Sequence, residues 1–277
     1  MSGCGLIYGK NIKIKESKME KLLIRASSIG KIMSDNPNTK LTERQSITLD
    51  GLLSKIKLTE KQAELRDTLL LKRDAKPELS KGGKSYIKEL WLENNYDIKQ
   101  EINNKYIDKG NEVESLSIKL AELTTDLGEL YKNDEYFEND FVCGTPDVIT
   151  DTHIIDVKSS WSASTFPFFE EKITNINYEW QLKAYMWLTN IHKSYLSYCL
   201  VTTPEILIQD EIKRVSWKRG EIEISEETEE EVREFHNLDK IPIWERVKSF
   251  EVKLTGEDIM KMKEKITLAR EYYNSLN

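Results

Sequence analysis

Two aspartates and a lysine are the residues best placed to do chemistry. In residues 141–160, FVCGTPDVITDTHIIDVKSS, Asp147 and Asp156 flank a polar break at Thr150, Asp151 and Thr152, and Lys158 follows Asp156 by two positions. The apolar residues on either side are mostly β-branched or aromatic, so the stretch reads as two short strands, 141–149 and 153–159, joined by a turn. Side chains alternate along a strand, which puts Asp156 and Lys158 on one face and Val157 on the other. A tight hairpin then brings Asp147 beside Asp156. Two carboxylates supply the oxygen ligands that a hard divalent cation such as magnesium requires. A cation held there polarises a phosphoryl group and makes a bound water a better nucleophile. A neighbouring ammonium orients that water or offsets developing charge. The set suits phosphodiester hydrolysis. Three residues alone would equally describe the wet side of an ordinary strand, so the surrounding chain has to decide.

The elements that must position these groups are legible in outline. Ser27 or Ser28 is expected to cap a short helix over 29–33. Residues 41–100 read as helical, with a capping box at Thr59 and Gln62, a stop at Pro77, and a helix over 84–93 that carries Ile87, Leu90 and Trp91. A further helix is expected to open near Gly110, with Val113, Leu116, Leu120 and Leu123 at helical spacing and Glu114 beside that stripe. After the two motif strands comes a helix over 177–190. Gln181 and Tyr185 share one of its faces, with Tyr178 one turn earlier, while Leu182 and Met186 pack on the sheet. Residues 195–202 form an apolar strand. Beyond Pro204 the expectations are a strand pair within 206–217, an acidic helix over 226–238, a strand over 246–253 and a final amphipathic helix after Gly256.

Composition bounds the rest. The chain has 277 residues and a formal net charge of −7. Seven of its glutamates lie in residues 221–231, and without them acids and bases balance. Residues 10–25 carry six bases against Glu16 and Glu20, so charge is segregated, as a basic lip around an acidic pocket would be. Three widely spaced cysteines, Cys4, Cys143 and Cys199, fit a reducing compartment and argue against an iron–sulfur cluster. No run is apolar enough to span a bilayer, and the N-terminus lacks the apolar core of a signal peptide, so a cytoplasmic protein with no membrane partner is expected. The three histidines, His153, His192 and His236, lack metal-ligand spacing. No phosphate-binding G-x-x-x-x-G-K-[ST] loop is present, so ATP drives nothing within this chain.

Four segments in order carry a resemblance. Gly144-Thr145-Pro146-Asp147 followed by Asp156-Val157-Lys158 resembles the core signature of the PD-(D/E)xK nuclease superfamily. Gly110 to Glu114 resembles its G-x-x-x-E box, and Gln181 with Tyr185 resembles the Q-x-x-x-Y box of the RecB-like branch. Residues 24–30, IRASSIG, resemble the I-T-A-S segment of lambda exonuclease and YqaJ-type viral recombinases, with Ser27 aligned to its serine and Arg25 replacing its threonine. The resemblance covers roughly residues 20–200; residues 35–105 match no motif.

The resemblance implies an α/β (α+β) fold: a restriction-endonuclease-like core with a central mixed β-sheet flanked by helices. It implies one nuclease domain over 1–277, with core motifs in about 20–203, a helical insertion over about 41–100 and a C-terminal appendage from about 204. It implies a metal-dependent 5′-to-3′ exonuclease on linear double-stranded DNA, leaving 3′ single strands for phage-type recombination. Asp147 and Asp156 would bind the metal directly, with Glu114 and the Val157 carbonyl as further ligands. Magnesium is the expected ion, with manganese as a substitute. Lys158 would position the water with help from Gln181, and Tyr185 would support them. Arg25, Ser27 and Ser28 would hold the 5′ phosphate at a helix start. A single-strand annealing protein is the implied partner, a toroidal trimer the implied assembly, and the cytoplasm of a bacterial host the implied location if the chain is phage-encoded. An endonuclease on the same core and a catalytically inactive DNA-binding module are the alternatives.

Overall fold

Each strand of the central sheet takes its place from alternation and from one proline. The computed structural model describes residues 22–99 and 104–276. The basic run expected from Lys10 therefore lies largely outside the described residues. The sheet has the order β4-β5-β6-β7, formed by Val148–Ile149, Ile154–Ser159, Lys193–Cys199 and Val247–Lys253. β5 and β6 are parallel, whereas β4/β5 and β6/β7 are antiparallel, so the sheet is mixed as expected.

The single strand expected over 141–149 is instead two strands in two sheets. β3, Val142–Gly144, lies between β1, Ile24–Arg25, and β2, Phe137–Glu138, in a separate three-stranded sheet. The break falls at Thr145-Pro146, where proline has no N–H to continue a ladder. Asn133 pins the corner: its backbone N–H donates to the Asp147 carbonyl at 2.8 Å and its side-chain amide to the Pro146 carbonyl at 3.0 Å. Gly144 is required by a close approach, since a Cβ there would sit 2.9 Å from the Tyr185 ring and 3.2 Å from Ala26.

Two apolar layers enclose the sheet. On one side α5, Lys105–Thr124, lays Val113, Ile118 and Ala121 against Ile155, Val157 and Val201. This helix begins five residues before Gly110, capped by the Asn104 side chain, which accepts from the Tyr106 N–H. On the other side α6, Ile176–Thr189, is buried on every face from Trp180 to Met186, not on one sheet-facing stripe. The residues that cover its outer faces come from Ile24 to Met33 and from two distant helices, α4, Lys81–Tyr96, and α9, Gly256–Asn274.

The capping box at Thr59 and Gln62 opens α3, Glu60–Asp74, which packs on α2, Glu43–Leu53, through Leu49, Leu52 and Leu69. The serine cap expected at Ser27 or Ser28 is absent. Residues Ala26–Ser28 form a 3₁₀ turn, and the helix after it, α1, is one turn, Gly30–Met33, with Ile29 at its N-cap and no side-chain cap. Buried Ala26 and Ile29 set this geometry. The strand pair expected within 206–217 is α7, Glu205–Arg219, which pairs with the acidic α8, Glu226–Phe235, through Ile208, Ile212 and Val232. The segment expected as an appendage supplies β7 to the central sheet and Met262, Ile266 and Ala269 to the main core.

Candidate active site

The antiparallel register that pairs Val148 with Ile155 carries Asp147 to the position opposite Asp156. The Asp147 carboxylate accepts from the Val157 N–H at 2.9 Å. Asp156 has no exposed surface. Its Oδ1 accepts from the Gln181 side-chain amide at 2.7 Å, and the same amide lies 3.4 Å from the Tyr185 hydroxyl. The i, i+4 pair on α6 therefore fixes Asp156, and Gln181 acts on this carboxylate. Asp156 Oδ2 lies 2.5 Å from Lys158 Nζ in an ion pair and has no other donor among the described residues. Lys158 Nζ also stands 5.1 Å from the centre of the Tyr178 ring.

Burial raises the Asp147 carboxyl to about 7; the charge of Asp156 adds to that and Lys158 opposes it. Burial raises Asp156 as well, again against the pull of Lys158. Burial alone would lower Lys158, but the two carboxylates more than offset it and hold the ammonium charged. A buried acid, Asp156, and a half-buried one, Asp147, thus lie side by side with one cation paired to Asp156.

Glu114 reaches the same cleft from α5, on the opposite face of the sheet. It does not close a three-acid cage. Lys132, bridged to Val148 beside β4, takes its Oε2 at 2.5 Å. Among the described residues, no three His, Cys, Asp or Glu side chains are grouped to hold a metal ion by themselves. Of the three expected carboxylates, Asp147 and Asp156 lie opposite each other, while Glu114 lines the same cleft paired with Lys132.

A hard divalent cation fits the donors present. They are all oxygen, and they include the carboxylates of buried Asp156 and half-buried Asp147, with Lys158 the sole donor near Asp156 Oδ2 among the described residues. The cleft beside them measures about 510 Å³ and is lined by Glu114, Asp147, Val157 and Lys158 on one side and by Tyr106, Trp161 and Tyr178 on others.

Arg25 and Ser28 line a different cleft, of about 240 Å³, together with Lys31 and Lys99. The Arg25 guanidinium pairs with Glu93 at 3.1 Å, and Ser27 is exposed and outside that lining. A one-turn α1 offers no helix dipole of consequence, so any anion affinity here rests on side chains. Gly30 ties this segment to α6, because a Cβ there would fall 2.6 Å from the Asn177 Cα.

Behind the cleft lies a knot for which no motif prepared. Lys109 of α5 is buried without a carboxylate. Its ammonium donates to the Trp161 carbonyl at 3.0 Å, the Val201 carbonyl at 3.0 Å and the Thr203 hydroxyl at 2.8 Å, and burial lowers it to about 8. It thereby locks α5 to the loops after β5 and β6. Thr203 also meets His236 Nδ1 at 3.0 Å. Burial holds His236 at about 4; the cations of Lys109 and Lys105 add to this and Glu211 opposes it. Unfolding restores an ordinary imidazole near 6.5. The unfolded chain then binds the extra proton, so the contribution of neutral His236 is intact above about pH 6.5 and is lost as pH falls through about 4. Melting temperatures between pH 7 and pH 4 should fall less steeply in His236→Gln, by a few degrees, the shift that about 1 kcal/mol makes at this size. Identical slopes would remove His236 from the acid response.

No protein-family model matches this sequence, nor does any curated protein. Solved structures do. The fold is similar to the crystal structure of a phage related exonuclease from Haemophilus somnus 129PT, at 25% identity and a TM-score of 0.65, over 92% of this chain and 95% of that one. An alkaline exonuclease from Laribacter hongkongensis, LHK-Exo, aligns over 71% of this chain and 81% of its own at 12% identity and a TM-score of 0.49, a likeness too remote to argue from. The mixed sheet that carries Asp156 and Lys158, with Asp147 just before its edge strand, resembles the core of the PD-(D/E)xK nucleases, and the similarity to a phage related exonuclease supports that resemblance. This likeness to a phage related exonuclease agrees with the lambda-exonuclease branch that the motifs resemble. Among the described residues, no helix is long and apolar enough to cross a membrane.

Proposed function

We propose that this chain is a metal-dependent deoxyribonuclease, a 5′-to-3′ exonuclease that digests linear double-stranded DNA and leaves 3′ single strands for recombination. The observation that carries the reading is Asp156, paired with Lys158, fixed by Gln181 and opposite Asp147, in a fold similar to that of a phage related exonuclease. Asp147 and Asp156 would hold the magnesium ion, or manganese in its place, with the Val157 carbonyl and Glu114 completing the set. The bound ion supplies Lewis acidity and a more acidic water. Lys158 keeps its proton and presents positive charge where the attacking water and the phosphoryl oxygens gather. Gln181 stops Asp156 from rotating, and Tyr185 stops Gln181.

End-labelled linear duplex and covalently closed circular duplex, each with magnesium and with EDTA, form the test. The expected result is magnesium-dependent loss of the linear DNA from its ends with the circle untouched. Cleavage of the circle would favour an endonuclease on the same core, and binding without cleavage an inactive module.

The second cleft, lined by Arg25, Lys31 and Lys99 and also by Glu89 and Glu93, would take a terminal phosphate if Arg25 exchanged Glu93 for the anion. A duplex with a 5′ phosphate should be degraded faster than its 5′-hydroxyl form. Arg25→Ala should reduce that preference about tenfold, the scale of one lost charge-assisted hydrogen bond of ~1.5 kcal/mol. Equal rates on both ends in the wild-type protein would leave residues 24–30 a packing element only.

A further inference from the structure

The cleft beside the acid pair has one wall that the chemistry above does not use. It is made by Tyr106, in the first turn of α5, and by Trp161, two residues beyond Ser159 at the end of β5. Trp161 is a fixed backing. Its carbonyl is gripped by Lys109, its ring meets the His236 ring edge-on at 4.9 Å, and it is almost wholly buried. Tyr106 stands edge-on to Trp161 with ring centres 5.8 Å apart, yet 53% of its surface is open. Lys105 Nζ lies 4.6 Å from the Trp161 ring centre and 5.4 Å from that of Tyr106, and is itself anchored by Glu211 at 3.0 Å. An exposed aromatic ring held by a rigid backing and flanked by a cation, in the same cleft as Asp147 and Lys158, is built to receive a flat ring attached to an anion.

We propose that Tyr106 is the stacking platform for the nucleobase next to the scissile phosphate. This rests on the nuclease reading and adds to it the contact that seats the substrate strand. Ring stacking accepts any base, so the platform sets register and binding without choosing sequence. An aliphatic or polar residue at 106 would leave the phosphate with a place to react and its base with none.

The test uses the full chain and duplexes carrying 2-aminopurine at the first, second or third nucleotide of the digested strand, with calcium in place of magnesium to hold the complex before cleavage. Wild-type protein should quench the probe strongly at one position. Tyr106→Ala should abolish that quenching and raise KM about tenfold or more, as loss of one base–aromatic stack predicts, while Tyr106→Phe keeps both. An unchanged far-UV circular dichroism spectrum and melting temperature exclude unfolding as the cause. If the wild-type protein degrades linear DNA while Tyr106→Ala shows unaltered quenching and KM, the platform is wrong and the nuclease stands. A wild-type protein that degrades no DNA overturns the nuclease reading itself, and the platform with it.

Discussion

Asp156→Asn should reduce cleavage of linear duplex by on the order of a thousandfold or more, the scale on which loss of one group that stabilises transition-state charge is felt. The substitution is a clean one in this setting. Asparagine keeps an oxygen for the Gln181 amide that Asp156 Oδ1 now accepts at 2.7 Å, so α6 need not move. It removes the negative charge that helps to raise Asp147 to about 7. It also deprives Lys158 of its nearest counter-ion, but Asp147 remains beside it. The protein should therefore stay folded and bind DNA nearly as well, since the basic groups of the clefts are untouched. Thermal melts with and without magnesium separate the explanations. Wild-type protein should be stabilised by the ion, because a ligand that binds only the folded state raises its stability, and the variant should not. A variant that digests DNA at the wild-type rate would remove Asp156 from the site altogether.

What could be read ahead of the structure follows from the range of the forces involved. The face shared by Asp156 and Lys158 needs only the two-residue period of a strand, and the Gln181–Tyr185 face only the helical period, so both stood in the sequence. The position of Asp147 opposite Asp156 followed from the turn at Thr150, whose N–H and hydroxyl both engage the His153 carbonyl. Lys132 was not legible. Its bond to Glu114 spans eighteen positions and depends on a bridge between Lys132 and Val148 that no local pattern marks. Lys109 was hidden for the same reason, since its three acceptors lie fifty or more residues away. The reading of residues 206–217 as strands had a local remedy. Ile208, Ile212 and Val215 recur at helical spacing and pack together against Val232. At Ser27 and Ser28 the sequence offered a good cap, but burial of Ala26 against Gly144 fixed a 3₁₀ turn instead. Tertiary packing overrode a local preference worth only ~1 kcal/mol.

Lys158→Ala is expected to lose turnover by about a hundredfold to a thousandfold while binding magnesium at least as tightly as the wild-type protein. The direction follows from where the ammonium sits. It pairs with Asp156 Oδ2, which has no other donor among the described residues, so it occupies a side of the acid pair that a cation would need. Its charge also lowers the negative potential that would attract such an ion. Alanine removes both the occupant and the competing charge, leaving buried Asp156 and half-buried Asp147 without a neighbouring cation. The variant should accordingly be less stable than wild type without metal and gain more stability on adding it, which a pair of melting curves reads directly. Lys158→Arg should restore little turnover. The guanidinium is planar and broad, and the space it would enter is bounded by Asp156 and by the Tyr178 ring, 5.1 Å from the present ammonium. Calorimetric titration decides the matter. Magnesium affinity that falls in Lys158→Ala would mean that the lysine builds the metal site and does not serve the water, and the role assigned to it here would have to be given up.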